Sequence, residues 1–233
     1  MNLLAFDTST DTMSIAVRGG AFAGGDAIEH VAPGGAQASA ALIPAVMALL
    51  ARAGLGLAQL DAISFGRGPG SFTGLRTACA VAQGLAFGAD VPVLPLDTLM
   101  AVAEEARALT GATRVIAALD ARMDQVYWAA YIHGEAGWGL EGDYRLTAPE
   151  DIPATQGWTL AGNAFHAYAT RLPGLPRVDA LPTARALLRI APAALAAGLA
   201  VPADRAMPLY IRDKVAQTTQ ERAAARALAS PTP

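Results

Sequence analysis

Short apolar runs alternate along this chain with longer segments that favour helices. The short runs end at Gly, Pro or Asp, or at a polar turn, which is typical of buried strands. They lie at residues 3–6, 13–18, 27–31, 60–65, 91–96, 115–120, 126–132 and 158–161. The longer segments carry apolar or small residues at helical spacing and lie at 38–54, 75–87, 97–109, 164–172, 183–199 and 217–229. This alternation predicts an α/β fold.

Glycine and proline set the expected boundaries of several elements. Gly54 follows the first helical segment and predicts its end, whereas Pro192 predicts a break in the segment 183–199. Residues 134–152 are polar and interrupted by glycine and proline, which predicts a strand with loops. The three prolines of 173–182 predict a surface segment. Residues 230–233 are expected to fray.

The second half of the sequence repeats the pattern of the first. An apolar strand ends in Asp7, a polar turn follows and a strand returns; the same order recurs around Asp120. The repeat predicts two related halves, each opened by a hairpin with an acid at its turn. Such acids either serve chemistry in a cleft or bond the N–H groups of their own turns, and the sequence leaves both interpretations open.

A glycine-rich stretch, Gly66 to Arg76, joins a strand to a helix. Its glycines predict a sharp turn that exposes backbone, and Ser71 or Thr73 is placed to cap the helix. The N–H groups of the first helical turn would then form a concavity for an anion or carboxylate, unless the stretch is simply a tight connection.

Charge and composition limit the function classes. The 233-residue chain is 53% hydrophobic and carries a net charge of -3, which argues against direct grip on a nucleic-acid backbone. Its single cysteine, Cys79, excludes an internal disulfide and fits a reducing compartment. The start of the chain lacks the features of a secretory signal, and the apolar run 38–51 is too short to span a bilayer. We expect a cytoplasmic protein without a membrane anchor.

The sequence shows no recognisable set of catalytic residues. The three histidines, His30, His133 and His166, are scattered, so none has a metal-binding partner nearby in sequence. Ser71 sits on the exposed turn, but the sequence nominates neither a base nor an orienting acid for it. Cys79 is expected to be buried within its helix. We therefore predict neither a metal nor another cofactor.

The glycine-rich stretch resembles the TsaB family of bacterial tRNA threonylcarbamoyladenosine synthesis at eleven consecutive positions, Gly66 to Arg76. Further matches lie at residues 7–9, 97–99, 118–122 and 210–212, so the resemblance covers nearly the whole chain. It implies an α/β fold of two actin-like lobes of the ASKHA, ribonuclease H-like type, the second one reduced. The expected division is 1–98 for the first lobe, 99–212 for the second, and 213–233 for a helical or frayed tail.

The same resemblance implies a non-catalytic scaffold subunit. Such a subunit binds and activates TsaD, the catalytic subunit, and through that assembly meets the ATPase TsaE. TsaD transfers threonylcarbamoyl to N6 of the adenosine next to the anticodon of tRNAs that read ANN codons. The scaffold would meet tRNA only indirectly, and would form a homodimer when TsaD is missing.

Two helices are expected to form the partner or dimer face, because one offers a wide apolar face and the other a stripe of small residues. The alternative is that both helices are internal core. The residues of this face are Leu42, Val46, Leu49, Leu75, Thr77, Ala80, Gly84 and Phe87.

The resemblance also implies a nucleotide or anion cleft, in vestigial form. Its expected residues are Asp7, Thr8, Ser9, Gly68, Gly70, Ser71, Asp120 and Arg122. Thr8 and Ser9 stand where a phosphate-binding turn usually has glycine, which argues against nucleotide binding. Arg67, Arg76 and Arg122 either ring this cleft or pair with its acids.

The sequence leaves two other functions open. An actin-like kinase or ATPase would bind ATP with magnesium, but the first turn and the segment 160–164 are poor in glycine. A glycoprotease-like peptidase would need a metal or nucleophile; the helix starting at residue 38, which carries a metal-binding histidine pair in the catalytic relative, has no histidine.

Overall fold

Two five-stranded sheets form the framework of the computed structural model, which describes residues 1–22 and 27–212. The first sheet contains β1 (Leu3–Asp7), β2 (Thr12–Arg18), β3 (Ala27–Pro33), β4 (Ala62–Gly68) and β5 (Val93–Asp97). The second contains β6 (Arg114–Asp120), β7 (Val126–Gly134), β8 (Gly137–Thr147), β9 (Thr159–Gly162) and β10 (Arg177–Asp179). The helices are α1 (Ala38–Ala53), α2 (Phe72–Ala89), α3 (Thr98–Thr110), α4 (Ala164–Tyr168) and α5 (Ala184–Ala196).

The two sheets share one topology, which confirms the predicted repeat. In the first, the strand order is β3-β2-β1-β4-β5, and in the second the equivalent strands run in the same order, β8-β7-β6-β9-β10. Each half begins with an antiparallel hairpin, β1–β2 or β6–β7, and continues with two parallel strands. Asp7 and Asp120 therefore lie at equivalent strand ends, as the sequence predicts.

The second half contains less helix than the first. Residues 148–158, all described, contain a single 3-10 turn where the first half has α1, and α4 has five residues where α2 has eighteen. The prediction of two lobes with the second one reduced is thus confirmed in its secondary structure.

Alternating side chains of β1 divide the first lobe into two cores. Leu4 and Phe6 pack under α1 and α2, while Leu3 and Ala5 pack on the opposite face against α5. This two-residue period is the one expected of a strand covered on both faces.

The last two long helices each belong to the junction between the lobes. Helix α3 packs through Val102 and Ala106 on the second sheet, whereas α5 packs through Leu187 and Leu188 on the first. The segment after α5 also returns to the first sheet, where Val201 pairs with Val93. The division at residues 98/99 stays a prediction; α5 and the chain to Leu209 pack against the first lobe. The predicted tail 213–233 lies outside the described residues, as does the predicted helix 217–229.

Four element boundaries differ from the sequence predictions. Helix α5 continues through Pro192, because Leu188, Ala191 and Ala194 remain buried on the sheet and hold the helix despite the lost hydrogen bond. Strand β4 extends to Gly68 by pairing with β5. Helix α4 ends at Tyr168, and the proline-rich segment contributes β10.

One described helical segment, Gly35–Ala53, extends beyond the predicted apolar run 38–51 at both ends, and by length and composition it could cross a membrane. Leu42, Val46 and Leu50 on this segment are buried in the core of the first lobe. One such segment is weak evidence for a membrane span, and one face of α1 packs in the core of the first lobe.

Candidate functional site

A cleft of about 970 Å³ opens between the lobes, where the β1–β2 and β6–β7 turns face each other. Its walls come from both turns, from the start of α2, from α4 and from the chain segment after α5. The polar and aromatic residues that line it are Ser9, Thr10, Asp11, Ser71, Phe72, Arg76, Asp120, Arg122, Tyr127, Asn163, His166, Tyr210 and Arg212.

Asp7 lies behind the cleft and is fully buried. Its Oδ1 accepts hydrogen bonds from the backbone N–H and the hydroxyl of Ser9, at 2.8 and 2.6 Å, and Oδ2 accepts one from Thr98 at 3.3 Å. Burial raises the pKa of Asp7 to about 6, although these three bonds act in the opposite direction. The geometry is that of an acid bonding its own turn, the structural alternative raised above.

The glycines of the 66–76 stretch allow the β1–β2 turn to pack closely on α2. A Cβ built on Gly66 would overlap the Asp7 carboxylate, and one on Gly70 would overlap Ser9. A Cβ on Gly74 would overlap the carbonyl oxygen of Thr8. Close backbone approach therefore explains these glycines better than a phosphate cradle does.

The expected anion concavity at the start of α2 is partly filled by the protein itself. The N–H of Ser71 donates to the carbonyl of Ser9 at 2.8 Å, and the hydroxyl of Ser71 caps the helix at the Gly74 N–H, 3.5 Å away. The predicted cap is confirmed for Ser71. Asp97 stands at the N-cap position of α3, but its carboxylate makes no capping bond and pairs with Arg67 at 2.6 Å.

The structure brings five of the eight expected cleft residues to the cleft surface: Ser9, Gly70, Ser71, Asp120 and Arg122. Asp7 and Thr8 are fully buried behind them, and Gly68 is buried beside the carbonyl of Leu209. Of the three arginines, Arg76 and Arg122 line the cleft, whereas Arg67 is held by Asp97.

Arg122 links the two lobes across the cleft. Its guanidinium contacts Asp11 on the β1–β2 turn at 2.8 Å and Asp120 at 3.1 Å. Asp120 also accepts hydrogen bonds from the Arg122 N–H at 2.7 Å and the Tyr168 hydroxyl at 3.0 Å. Both acids that face the cleft are thus already paired with the same arginine.

The turn that carries Arg122 has an unusual backbone. Arg122, Met123 and Asp124 have φ values of 61°, 54° and 63°, a run of three non-glycine residues in the left-handed region. Arg212 holds this turn, since its guanidinium donates to the Ala121 carbonyl at 2.9 Å and to the Met123 sulfur at 3.0 Å.

Sequence reasoning missed the aromatic residues at the mouth of the cleft. Phe72 and Tyr210 face each other with ring centroids 5.4 Å apart, and the Arg76 guanidinium stands 4.0 Å above the Phe72 ring. The one signal in the sequence was the match of residues 210–212 to the resembled family, because it placed this segment among the characteristic positions without showing where it folds.

Half of the expected partner face is core. Leu42, Val46, Leu49 and Leu75 are buried, the first three between α1, α2 and the first sheet. Thr77 is half-buried, while Ala80, Gly84 and Phe87 are exposed. The outer surface of α1 adds Ile43 and Met47, which sequence reasoning did not select.

The described residues give little evidence of a metal site or of an activated nucleophile. No group of three or more His, Cys, Asp or Glu within residues 1–22 and 27–212 is arranged to hold a metal ion. His166 pairs with the exposed Asp179 at 2.9 Å, and Cys79 is buried with its thiol 3.4 Å from the Ala206 carbonyl.

Comparisons with known proteins find relatives in tRNA threonylcarbamoyladenosine biosynthesis. The chain is 36% identical to the tRNA threonylcarbamoyladenosine biosynthesis protein TsaB of Escherichia coli K12, over 93% of this chain and 96% of that protein. It is 44% identical to the protein of the same name from Haemophilus influenzae, over 57% and 54% of the two chains. Residues 30–138 match the family described as TsaD, tRNA N6-adenosine threonylcarbamoyltransferase.

Two solved structures are similar to this chain over most of its length. YeaZ from Pseudomonas aeruginosa matches with a TM-score of 0.82 at 41% identity, over 90% of this chain and 99% of that one. A second structure, described as an uncharacterized protein with similarity to peptidase YEAZ from Pseudomonas aeruginosa, has a TM-score of 0.83 at 41% identity, over 91% and 99% of the two chains.

Proposed function

The chain belongs to the TsaB family of tRNA threonylcarbamoyladenosine biosynthesis, and from this membership we propose that it is the non-catalytic subunit that binds and activates TsaD. It has the two-lobed, actin-like and ribonuclease H-like α/β fold predicted from its sequence. In the proposal, TsaD transfers threonylcarbamoyl to N6 of the adenosine next to the anticodon of ANN-reading tRNAs. This chain acts in the cytoplasm and meets TsaE and tRNA through the assembly.

The observation that carries the proposal is a set of exposed apolar and small side chains on the neighbouring helices α1 and α2. We call it the α1/α2 face and define it by Ile43, Met47, Ala80, Gly84 and Phe87. Phe87 is 83% exposed, and Ile43 and Met47 are 45% and 46% exposed. Large apolar side chains exposed on two neighbouring helices are typical of an interaction site.

The shape of this face suits a helical partner. Gly84 and Ala80 lie one turn apart on α2, and a Cβ at Gly84 would meet no atom within 4 Å. Small residues at this spacing let a second helix approach α2 closely, while Phe87, three residues after Gly84, supplies apolar contact beside it. The buried Leu42, Val46 and Leu49 hold α1 and α2 on the sheet, so they support the face rather than form it.

The hydrogen bonding of the candidate cleft supports a non-catalytic role. Asp7 is engaged by Ser9 and Thr98, and Asp11 and Asp120 are both paired with Arg122. An actin-like ATPase would use such acids on metal or water beside a phosphate chain. One solved relative is described as similar to a peptidase. A peptidase would need a metal or an activated nucleophile, and the residues that the structure describes contain no cluster of metal ligands.

The test is reconstitution with each subunit omitted in turn. TsaD from the same cell is co-purified with this chain, and threonylcarbamoyl transfer to tRNA is measured. We expect transfer to require both proteins and this chain alone to be inert. Turnover of ATP or modification of tRNA by this chain alone would overturn the non-catalytic assignment. Full transfer by TsaD, TsaE and substrate without this chain would overturn the activating role.

A self-association measurement completes the test. The same α1/α2 face is open to a second copy when TsaD is missing, so we expect a homodimer that TsaD dissociates. Sedimentation of this chain alone and with increasing TsaD measures the exchange. If the chain is a monomer at all concentrations, the homodimer part of the proposal is wrong. The binding of TsaD is then tested by the reconstitution alone.

A further inference from the structure

A short segment of chain after α5 passes from the first lobe to the second. It comprises residues 206–212, which we call the strap, and its last four residues, 209–212, line the cleft. The start of the strap is held on α2, where the Ala206 carbonyl accepts a hydrogen bond from Gln83 at 2.8 Å. Its end, Arg212, reaches the β6–β7 turn of the second lobe. The strap therefore connects the lobes on the side where the cleft opens.

Arg212 makes three contacts with the second lobe. Its guanidinium donates to the Ala121 carbonyl at 2.9 Å and to the Met123 sulfur at 3.0 Å, and it lies 5.8 Å from the centre of the Tyr127 ring. Two of these contacts are made to the β6–β7 turn, whose backbone is left-handed at three successive residues. Non-glycine residues keep such a conformation only where their surroundings hold it, so Arg212 supports the shape of this turn.

The same turn makes a second contact across the cleft. Arg122 pairs with Asp11 of the first lobe at 2.8 Å, and the two side chains are 71% and 86% exposed. An ion pair this exposed contributes little to stability and is weakened by salt. The strap contact is of a different kind, because Arg212 binds a carbonyl oxygen and a sulfur rather than a carboxylate. Two different interactions therefore hold one turn against the first lobe.

The lobes are joined by buried contacts away from the cleft. Helices α3 and α5 do not line the cleft, and Glu104 of α3, which is 2% exposed, bonds Arg189 of α5 at 2.7 Å. On the cleft side, Nε of Arg212 is buried and has no hydrogen-bond partner within residues 1–22 and 27–212. Release of Arg212 into water would satisfy this N–H group, which favours opening. The cleft-side contacts are therefore the ones that break first, and the junction of α3 with α5 serves as the hinge.

We propose that the strap and the Arg122–Asp11 pair form a lock that holds the two lobes together across the cleft, and that releasing Arg212 from the β6–β7 turn lets the cleft widen. Opening separates Asp11 from Arg122 and exposes the walls of the cleft. The lock is built from this chain alone and needs neither a ligand nor a partner protein. It is thus independent of the proposed binding of TsaD.

The test measures the distance between the lobes of the full chain by double electron–electron resonance. Nitroxide labels are attached to two introduced cysteines at exposed positions, Gln37→Cys before α1 and Thr170→Cys after α4, while the buried Cys79 is left in place. Arg212→Ala should at least double the fraction of molecules at the long-distance end of the wild-type distribution. Adding Asp11→Asn should lengthen the distance further. High salt should widen Arg212→Ala more than wild type, because only the exposed ion pair then remains.

Hydrogen exchange of the β6–β7 turn gives a second measurement. The Gln125 N–H donates to the Arg122 carbonyl at 3.1 Å, and the Ala121 N–H donates to the Gln125 carbonyl at 3.0 Å. In Arg212→Ala these amides should exchange at least tenfold faster, because the turn loses its support.

Matched controls remove the same kinds of charge elsewhere. Arg205→Ala removes an exposed arginine just before the strap, and Asp143→Asn changes an exposed aspartate of the second lobe. Neither should change the label distance or the exchange of the turn. Thermal unfolding verifies that all variants fold.

The outcomes separate a lock from a local support. A longer label distance in Arg212→Ala and in the double variant, with both controls unchanged, supports the proposal. An unchanged distance in the double variant overturns it, even where the turn exchanges faster, since Arg212 then stabilises the turn alone. Equal lengthening by Arg205→Ala also overturns it, because loss of any nearby charge would then have the same effect. Because no partner is present, these results are independent of transfer activity.

Discussion

Thr8 and Gly74 lie in direct contact, backbone against backbone. The Thr8 hydroxyl donates to the Gly74 carbonyl at 2.7 Å, and a Cβ on Gly74 would overlap the Thr8 carbonyl oxygen. Both residues are buried. The contact fixes the β1–β2 turn on the first turn of α2 and so sets the base of the interlobe cleft.

Gly74→Ala should therefore destabilise the protein, although alanine favours helix over glycine. The added methyl must displace the Thr8 backbone in a close-packed interior, and we expect a loss of about 1–3 kcal/mol in unfolding free energy. Urea unfolding measures it. Gly84→Ala on the same helix is the control: its Cβ meets nothing within 4 Å, so we expect a gain of roughly 0.5–1 kcal/mol. Equal effects at both positions would contradict the packing role of Gly74.

Sequence pattern predicts the elements where local chemistry decides them. The first strand, the hairpin after it and the Gly54 end of α1 follow from short-range pattern, and Gly54 has the expected left-handed conformation with φ of 68°. The same pattern predicts that glycine residues 66, 68, 70 and 74 are turn residues, but β4 runs through two of them. Their role depends on Asp7, Ser9, Thr8 and Leu209, which are distant in sequence, so local pattern does not reveal it.

Asp7→Asn tests whether Asp7 is structural. An asparagine keeps an acceptor for Ser9 and places a donor toward Thr98, so we expect the variant to fold and to keep the activity of the TsaD complex. If Asp7 were catalytic or held a metal, the variant would lose that activity. Transfer assays with the reconstituted complex decide between the two, with Asp143→Asn, an exposed aspartate of β8, as the control.

The same variant should change the pH dependence of stability. Burial raises the pKa of Asp7 from 3.8 to about 6, so between these values the folded state holds a proton that the unfolded state has lost. The contribution of Asp7 to stability is therefore greatest below pH 3.8 and falls by about 3 kcal/mol as pH rises through 6. Urea unfolding at pH values below, between and above these two pKa values should show wild type losing stability relative to Asp7→Asn. A constant difference across this range would show that Asp7 does not titrate there.

Glu104 ties both lobes together, and its removal should destabilise the whole fold. This buried side chain of α3 accepts bonds from Trp138 of β8 at 3.0 Å, Arg189 of α5 at 2.7 Å and Arg107 at 2.8 Å. Glu104→Gln leaves Arg107 without its partner charge, while Arg189 keeps Glu105 at 2.6 Å. Because both arginines are partly exposed, we expect a loss of about 2 kcal/mol. Glu141→Gln, exposed on β8, should cost little.

The pH response of Glu104 has the opposite sign to that of Asp7. Burial raises the pKa of Glu104, but the bonds from Arg107, Trp138 and Arg189 outweigh it, and the pKa lies below the ordinary 4.5. The contribution of Glu104 is therefore full above pH 4.5 and is lost as pH falls through its lowered value. Unfolding of wild type and Glu104→Gln should converge in strong acid. A difference that grows as the pH falls below that ordinary value would contradict this assignment.

The partner face shows where sequence pattern is ambiguous. Apolar residues at helical spacing mark the face of α1 that packs on its own sheet, and the assignment of Leu42, Val46 and Leu49 to a partner rests on that pattern alone. Periodicity gives the apolar side of a helix but does not say what covers it. The small-residue stripe of α2 is the better guide, since Ala80 and Gly84 are exposed.

Gly84→Leu tests the α1/α2 face directly. The position is exposed and open within 4 Å, and leucine favours helix more than glycine does, so the monomer should be at least as stable as wild type. On the face, the leucine side chain prevents the close approach of a partner helix at the small-residue stripe. We expect affinity for TsaD, and for a second copy of this chain, to fall at least tenfold in a calorimetric titration. Gly134→Leu, an equally open position at the end of β7, should leave both affinities unchanged. Because the two variants add the same side chain to opposite lobes, unchanged binding by Gly84→Leu would place the partner away from α2.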